Sequence, residues 1–214
     1  SGFIMSLYRA FTFLFLLLPS CFLWAQPVQK YLPEQATFNT QIPVPSETLG
    51  FYIGERHLRH DQLKAYFNKL AQHSTRIKTT TIGRTSQLRE QFLVTISSPE
   101  NLENLDNILA QRQVPYQSEN VKLEPSINPD GMDRFVNWVT TYRGSAENSD
   151  AEHIEHHQGW VSGRTNHFWF DLNRDWLLLT QKESEHRLKY FHQYQPHVVG
   201  DYHEMGANSS YFFQ

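Results

Sequence analysis

VKLEPSINPDGMDRFVNWVTTY, residues 121–142, is the stretch on which the fold turns. Val121 to Ile127 alternates apolar and polar side chains, the period of a half-buried strand. The alternation ends at Asn128-Pro129-Asp130-Gly131, where proline removes a ladder donor and glycine frees the backbone, so the chain must leave the sheet there. Arg134 to Tyr142 can then be helical. A strand, a forced exit and a helix in 22 residues set the grammar for the rest of the chain.

The same alternation of elements runs outward in both directions. Upstream, Asp61 to His73 reads as a helix with Asp61 as N-cap, since Leu63, Ala65, Tyr66 and Leu70 fall on one face. Ile77 to Ile82 and Gln91 to Ile96 read as a hairpin about Gly83-Arg84-Thr85-Ser86, and a second helix begins near Pro99 with Leu102, Leu105, Ile108 and Leu109 aligned. Downstream, Gly144 to Gly163 is a polar loop. Gln181 to Tyr194 is a helix stopped before Pro196, and His197 to Tyr202 reads as a buried strand. Helices alternating with strands predict an α/β layered fold. Tyr and Trp are spread along the chain as core and sheet packing residues.

The chain has 214 residues, 39% hydrophobic and 19% charged, the profile of an ordinary globular domain. A formal charge of −3 provides no basic field for a phosphate backbone, which argues against a nucleic-acid partner. Met5 opens a signal-peptide layout: Arg9, an apolar run from Phe11 to Trp24 that is short for a bilayer, then Ala25-Gln26. Cleavage after Ala25 predicts a secreted or periplasmic protein without a stable membrane span; a membrane anchor, a buried N-terminal helix and lipidation at Leu18-Pro19-Ser20-Cys21 are the alternatives. Cleavage removes Cys21, the only cysteine, so the mature protein has neither a disulfide nor thiolate chemistry. The expected organisation is a signal segment over 1–25, an extended lead-in over 26–49 with four prolines, and the domain over 50–214.

Three short motifs stand in order: Asn128-Pro129-Asp130-Gly131, Asp171-Leu172-Asn173-Arg174, and His203-Glu204-Met205-Gly206 after the apolar run. With Ile82-Gly83-Arg84-Thr85 and a strand ending Ile96-Ser97-Ser98, this order resembles the zinc metallocarboxypeptidase family, the carboxypeptidase A-like peptidases, over most of residues 50–214. The resemblance implies a mixed, mostly parallel sheet flanked by helices, and an exported zinc-dependent hydrolase that removes C-terminal residues from peptides by metal-activated water. Its partner would be a peptide substrate with a free C-terminus. Rival readings are a zinc amidase or endopeptidase of cell-wall peptides, and a catalytically dead peptide-binding relative.

By resemblance, Asn173 and Arg174 grip the substrate carboxylate, a task suited to the planar fork of a guanidinium. A further arginine would polarise the scissile carbonyl, with Arg143 favoured and Arg134 as the alternative. His203 would bind Zn2+ at a strand end, and Asp171 would orient a metal-bound imidazole through its far nitrogen. Each has a plainer role available: a surface ion pair for Arg174, a turn former for Asn173, a cap for Asp171, a solvated helix charge for either arginine.

A catalytic zinc takes three protein ligands and keeps one position open. The family draws two of them from a His-x-x-Glu motif, and none of the 11 histidines here has glutamate three residues later. Room for that segment is missing, with a join expected between Gln113 and Asn120, and the chain stops 11 residues after His203, before the family's catalytic glutamate. The expectation is an incomplete chain, inactive by itself. Glu152, His153, Glu155, His156 and His157 could share a face if helical, but their polar loop context favours a solvated segment.

Overall fold

The computed structural model describes residues 33–35, 37, 39–110, 120–146 and 148–203. The expected signal segment and its cleavage point, residues 26–32, 36 and 38 of the lead-in, residues 113–119 of the expected join, Glu204-Met205-Gly206 and the terminal Tyr211-Phe212-Phe213 lie outside the described residues. Among the described residues no helix is long and apolar enough to cross a membrane.

The described chain opens with α1, Pro45–Leu49, started by proline at its first turn and ended by Gly50 at φ +79°. That helix lies inside the expected extended lead-in and packs on α2, His60–His73, with the Tyr66 hydroxyl donating to the Pro43 carbonyl at 3.3 Å. The start of α2 departs from the expected Asp61 cap. Asp61 instead pairs with Arg59 at 3.0 Å, and the amide of His60 donates to the Asp133 carboxylate at 2.8 Å. A residue 73 positions away thus satisfies one of the donors a helix leaves open.

The hairpin is present, with strands longer than the alternation indicated. β1, Ile77–Arg84, pairs antiparallel with β2, Glu90–Ile96, with a register shift between Thr81 and Gly83. Ser98 caps α3, Pro99–Glu103, by accepting from the Asn101 amide at 3.3 Å; the chain breaks at Asn104 and continues as α4, Leu105–Ala110, burying Leu105 and Ile108. β3 covers only Val121–Leu123 and is antiparallel to β2. Among the described residues the sheet is therefore three antiparallel strands in the order β1-β2-β3, which corrects the expected mostly parallel sheet while keeping the α/β mixture. The physical cause is the connections: five residues join β1 to β2, enough only for a hairpin, since a parallel partner needs a crossover. Helices α3 and α4 do intervene before β3, but the chain re-enters the sheet from the far end.

Adjacent residues of β2 point to opposite faces and meet different helices. Phe92 contacts Phe67 and His60 of α2, whereas Gln91 accepts a hydrogen bond from His186 Nδ1 at 2.9 Å on α6, Lys182–Tyr194. Burial on both faces explains why Phe92, Leu93 and Val94 form the centre of the core, joined by Ile82, Leu105, Ile108, Val136 and Val139. Gly83 permits the close approach of α6: a Cβ there would overlap the His186 ring. His60, buried beside this core, has its imidazole pKa pushed below the usual value by desolvation, and donates from Nε2 to the Glu90 carbonyl at 2.7 Å.

α5, Pro129–Tyr142, begins at the Asn-Pro-Asp-Gly motif itself, five residues earlier than the expected start at Arg134. Asn128 caps it by accepting from the Gly131 amide at 3.0 Å, and Pro129 fills the first helical position, where no backbone donor is missed. α6 ends as expected, with Gln195 in the left-handed region ahead of Pro196. The next expectation needs correction. Residues 197–202 form no strand, and Val198 and Val199 are 87% and 56% exposed, because no described strand lies alongside to take up their backbone donors and acceptors.

Candidate functional site

A cleft of about 500 Å³ opens where the N-terminus of α5, the loop around Gly163, the turn at Asp171 and the segment at His203 face one another. Asn128, Asp171, Asn173 and His203 all line it, so the three sequence motifs, spread over 76 positions, meet in one place. Apolar side chains of Ile127, Met132, Phe135 and Leu172 complete its wall.

The cleft is built by side chains that stand in for regular structure. Asn128 both caps α5 and donates from Nδ2 to the carbonyls of Gly163 and Arg164, at 3.2 and 3.3 Å. Arg134 reaches from α5 to three carbonyls of the same loop, those of Ser162, Thr165 and Asn166, at 2.9 to 3.1 Å. Gly163 packs so closely on the helix that an added Cβ would come within 2.7 Å of the Gly131 carbonyl. Behind them Asn166 is fully buried, donating to Gln181 at 2.8 Å while its Oδ1 accepts the amides of Phe168 and Phe170. Asp175 closes the following turn. Burial works against its ionisation, but hydrogen bonds from Thr180, Ser184 and Gln181 outweigh that and hold its carboxyl below the ordinary carboxylate range.

Asp171 occupies the N-cap of a 3-10 turn, Leu172–Arg174, with Oδ1 accepting the Asn173 amide at 2.9 Å. Its Oδ2 takes two bonds from Arg164, at 3.1 Å from Nε and 3.0 Å from Nη2. Arg164 is the one guanidinium among the described residues lining the cleft, and its Nη1 carries no hydrogen bond to a described residue. The other arginines of the sequence reading lie elsewhere. Arg174 is exposed, outside the cleft lining, and turns back to the Asn173 carbonyl at 3.3 Å. Arg143 donates to the Glu55 carbonyl at 2.7 Å, and Arg134 is the loop clamp just described. Arg164 belongs to none of the three motifs. Its only signal was position, in the irregular stretch between two motifs and next to a glycine.

His203 stands at the cleft mouth, its Nε2 hydrogen donated to Asp201 at 3.0 Å. It is the one imidazole among the described residues of the lining, and the Asp171 carboxylate is already engaged by Arg164 and the Asn173 amide. These donors do not fit a catalytic zinc, which needs three protein ligands converging on one point. Among the described residues no three His, Cys, Asp or Glu side chains group to hold a metal ion. The histidine-rich loop forms a single 3-10 turn, Ile154–His156, in which His156 and His157 each spend Nε2 on a backbone carbonyl, at 3.0 and 2.7 Å. Compared with known proteins, the chain matches no family model and no curated protein.

Proposed function

We propose that the chain forms the substrate-recognition wall of a carboxypeptidase-like hydrolase that acts on peptides with a free C-terminus. The observation that supports this most is the convergence of Asn128, Asp171, Asn173 and His203 on one cleft that also carries Arg164. In this reading Arg164 offers Nη1 to the substrate's anionic oxygen, and the Asn173 amide side chain adds a neutral donor from the facing turn. Asp171 holds both in place, through its bond to Arg164 and its cap on the Asn173 turn. Of the three ligands a catalytic Zn2+ needs, His203 is the one this chain would contribute, and the recognition role stands without a step on the metal.

A blocked dipeptide and its C-terminal amide, titrated calorimetrically against the protein, test the assignment. The free acid should bind at least about tenfold tighter, since a charge-assisted hydrogen bond contributes about 1.5–3 kcal/mol and 1.4 kcal/mol is one decade. Arg164→Ala should abolish that preference and Arg174→Ala should leave it. A preference that survives both Arg164→Ala and Asn173→Ala overturns the carboxylate site. The donor set also favours a second reading, a peptide-binding relative without catalysis; the encoding DNA separates the two, an omitted segment containing His-x-x-Glu supporting the hydrolase and an uninterrupted frame without it supporting the binder.

A further inference from the structure

A second concavity, about 310 Å³, lies along the outer side of α5 and continues the wall of the cleft. Trp138 and Tyr142 stand one helical turn apart with ring centroids 4.4 Å apart, and form one side. Trp160, 76% exposed and braced edge-on by Trp169 at 5.9 Å, forms the other. The Trp138 ring is fixed, because its indole N–H donates to the Ile154 carbonyl at 3.2 Å. Fixed, solvent-facing aromatic rings cost hydration free energy in the empty state, and such patches mark binding surfaces.

The polar groups around these rings define what can bind. Arg134 is the only charged side chain among the described residues lining the groove, and its guanidinium is committed to three loop carbonyls. A charged ligand would find no counter-charge, which selects a neutral one. Asn137, at the exposed rim, has an amide that makes no hydrogen bond within the described residues. Ring faces combined with a free amide and no net charge complement a sugar ring, which presents C–H faces and hydroxyl edges. The volume sits at the small end of ligand pockets, about 300–1,000 Å³. Gln158 lines both this groove and the cleft, held rigid between the Arg134 carbonyl at 3.3 Å and the Gly163 amide at 2.7 Å, so one ligand can run across it.

We infer that this groove is a saccharide subsite, and that the substrate class is a peptide-bearing glycan whose sugar rests on Trp160 and Trp138 while its peptide enters the cleft. The peptide half rests on the hydrolase reading above; the saccharide half stands on the groove alone. The full chain titrated with cellotriose and with tri-N-acetylchitotriose, followed by tryptophan fluorescence and calorimetry, tests it without any peptide. Binding of at least one sugar is expected, weakened about tenfold or more by Trp160→Ala and severalfold by Asn137→Ala, both exposed positions whose loss leaves the core intact. Absence of binding to both sugars at millimolar concentration overturns the inference. So does binding that Trp160→Ala leaves unchanged. Because the sugar titration contains no carboxylate and the dipeptide titration no sugar, each half fails separately.

Discussion

Replacing Asp130 with alanine is expected to remove about 3 kcal/mol of stability. Its carboxylate is buried at the first turn of α5 and accepts from the Thr85 hydroxyl at 2.7 Å, from Arg89 Nη1 at 2.9 Å and from the Gln87 amide at 3.4 Å. Breaking a buried ion pair costs about 3–5 kcal/mol when a charge is stranded. Arg89 is not stranded, since it keeps Asp133 at 2.6 Å and is partly solvated, so the low end of that range applies. The buried Thr85 hydroxyl does lose its acceptor, at about 1–3 kcal/mol, and the lost charge-assisted bond is of similar size. With a urea dependence of about 2 kcal/mol/M, the unfolding midpoint read by tryptophan fluorescence should fall by about 1.5 M. The exposed Arg59–Asp61 pair is the internal comparison: Asp61→Ala should cost below about 1 kcal/mol and shift the midpoint by about 0.5 M or less. A shift for Asp130→Ala no larger than for Asp61→Ala would show that this network does not hold α5 to the hairpin.

Burial lifts the Glu124 carboxyl from 4.5 to about 7, so the folded chain keeps a proton that the unfolded chain releases. Stability should decline by up to about 3 kcal/mol as pH rises from about 4.5 to about 7, then level off; in Glu124→Gln the decline disappears and the melting temperature at pH 8 exceeds that of the unmodified protein. Equal or lower stability of the variant at pH 8 would count against this. Gly163→Ala should destabilise by about 1–3 kcal/mol in the same urea assay, because its Cβ would meet Phe135 at 2.6 Å and the Gly131 carbonyl at 2.7 Å; Gly159→Ala, with open space around it, should change stability by less than about 0.5 kcal/mol. N-terminal sequencing of exported protein should begin at Gln26, and retention of Cys21 would refute the signal-peptide reading.

What could be read from the sequence was local. The end of α6 was marked by the proline that follows it, and the β1–β2 hairpin by two strand-like runs about a short polar turn. Strand direction was not local: the chain between β2 and β3 carries helices, the mark of a crossover, yet returns antiparallel. The run His197–Tyr202 has a strand's composition, but a ladder requires a neighbour, and composition does not supply one. Arginines were the hardest to place. A long side chain reaches across the fold, so Arg143 is spent on a carbonyl 88 positions away and Arg134 on a loop, while Arg164 enters the cleft from a stretch without any periodic signal.

Arg134 also decides how the cleft can come apart. The loop from 158 to 170 has no ladder or helical bonds to share load among many residues, and one guanidinium carries three of its carbonyls. With Asn128, which holds the Gly163 and Arg164 carbonyls, it ties the loop to the start of α5, so the loop's amides belong to the same cooperative unit as the first turns of that helix. A lysine there, a point charge without the planar fork, cannot reproduce the three-way grip. In hydrogen exchange the loop of such a variant, still held to the helix by Asn128, would open faster than the first turns of α5 and no longer in step with them.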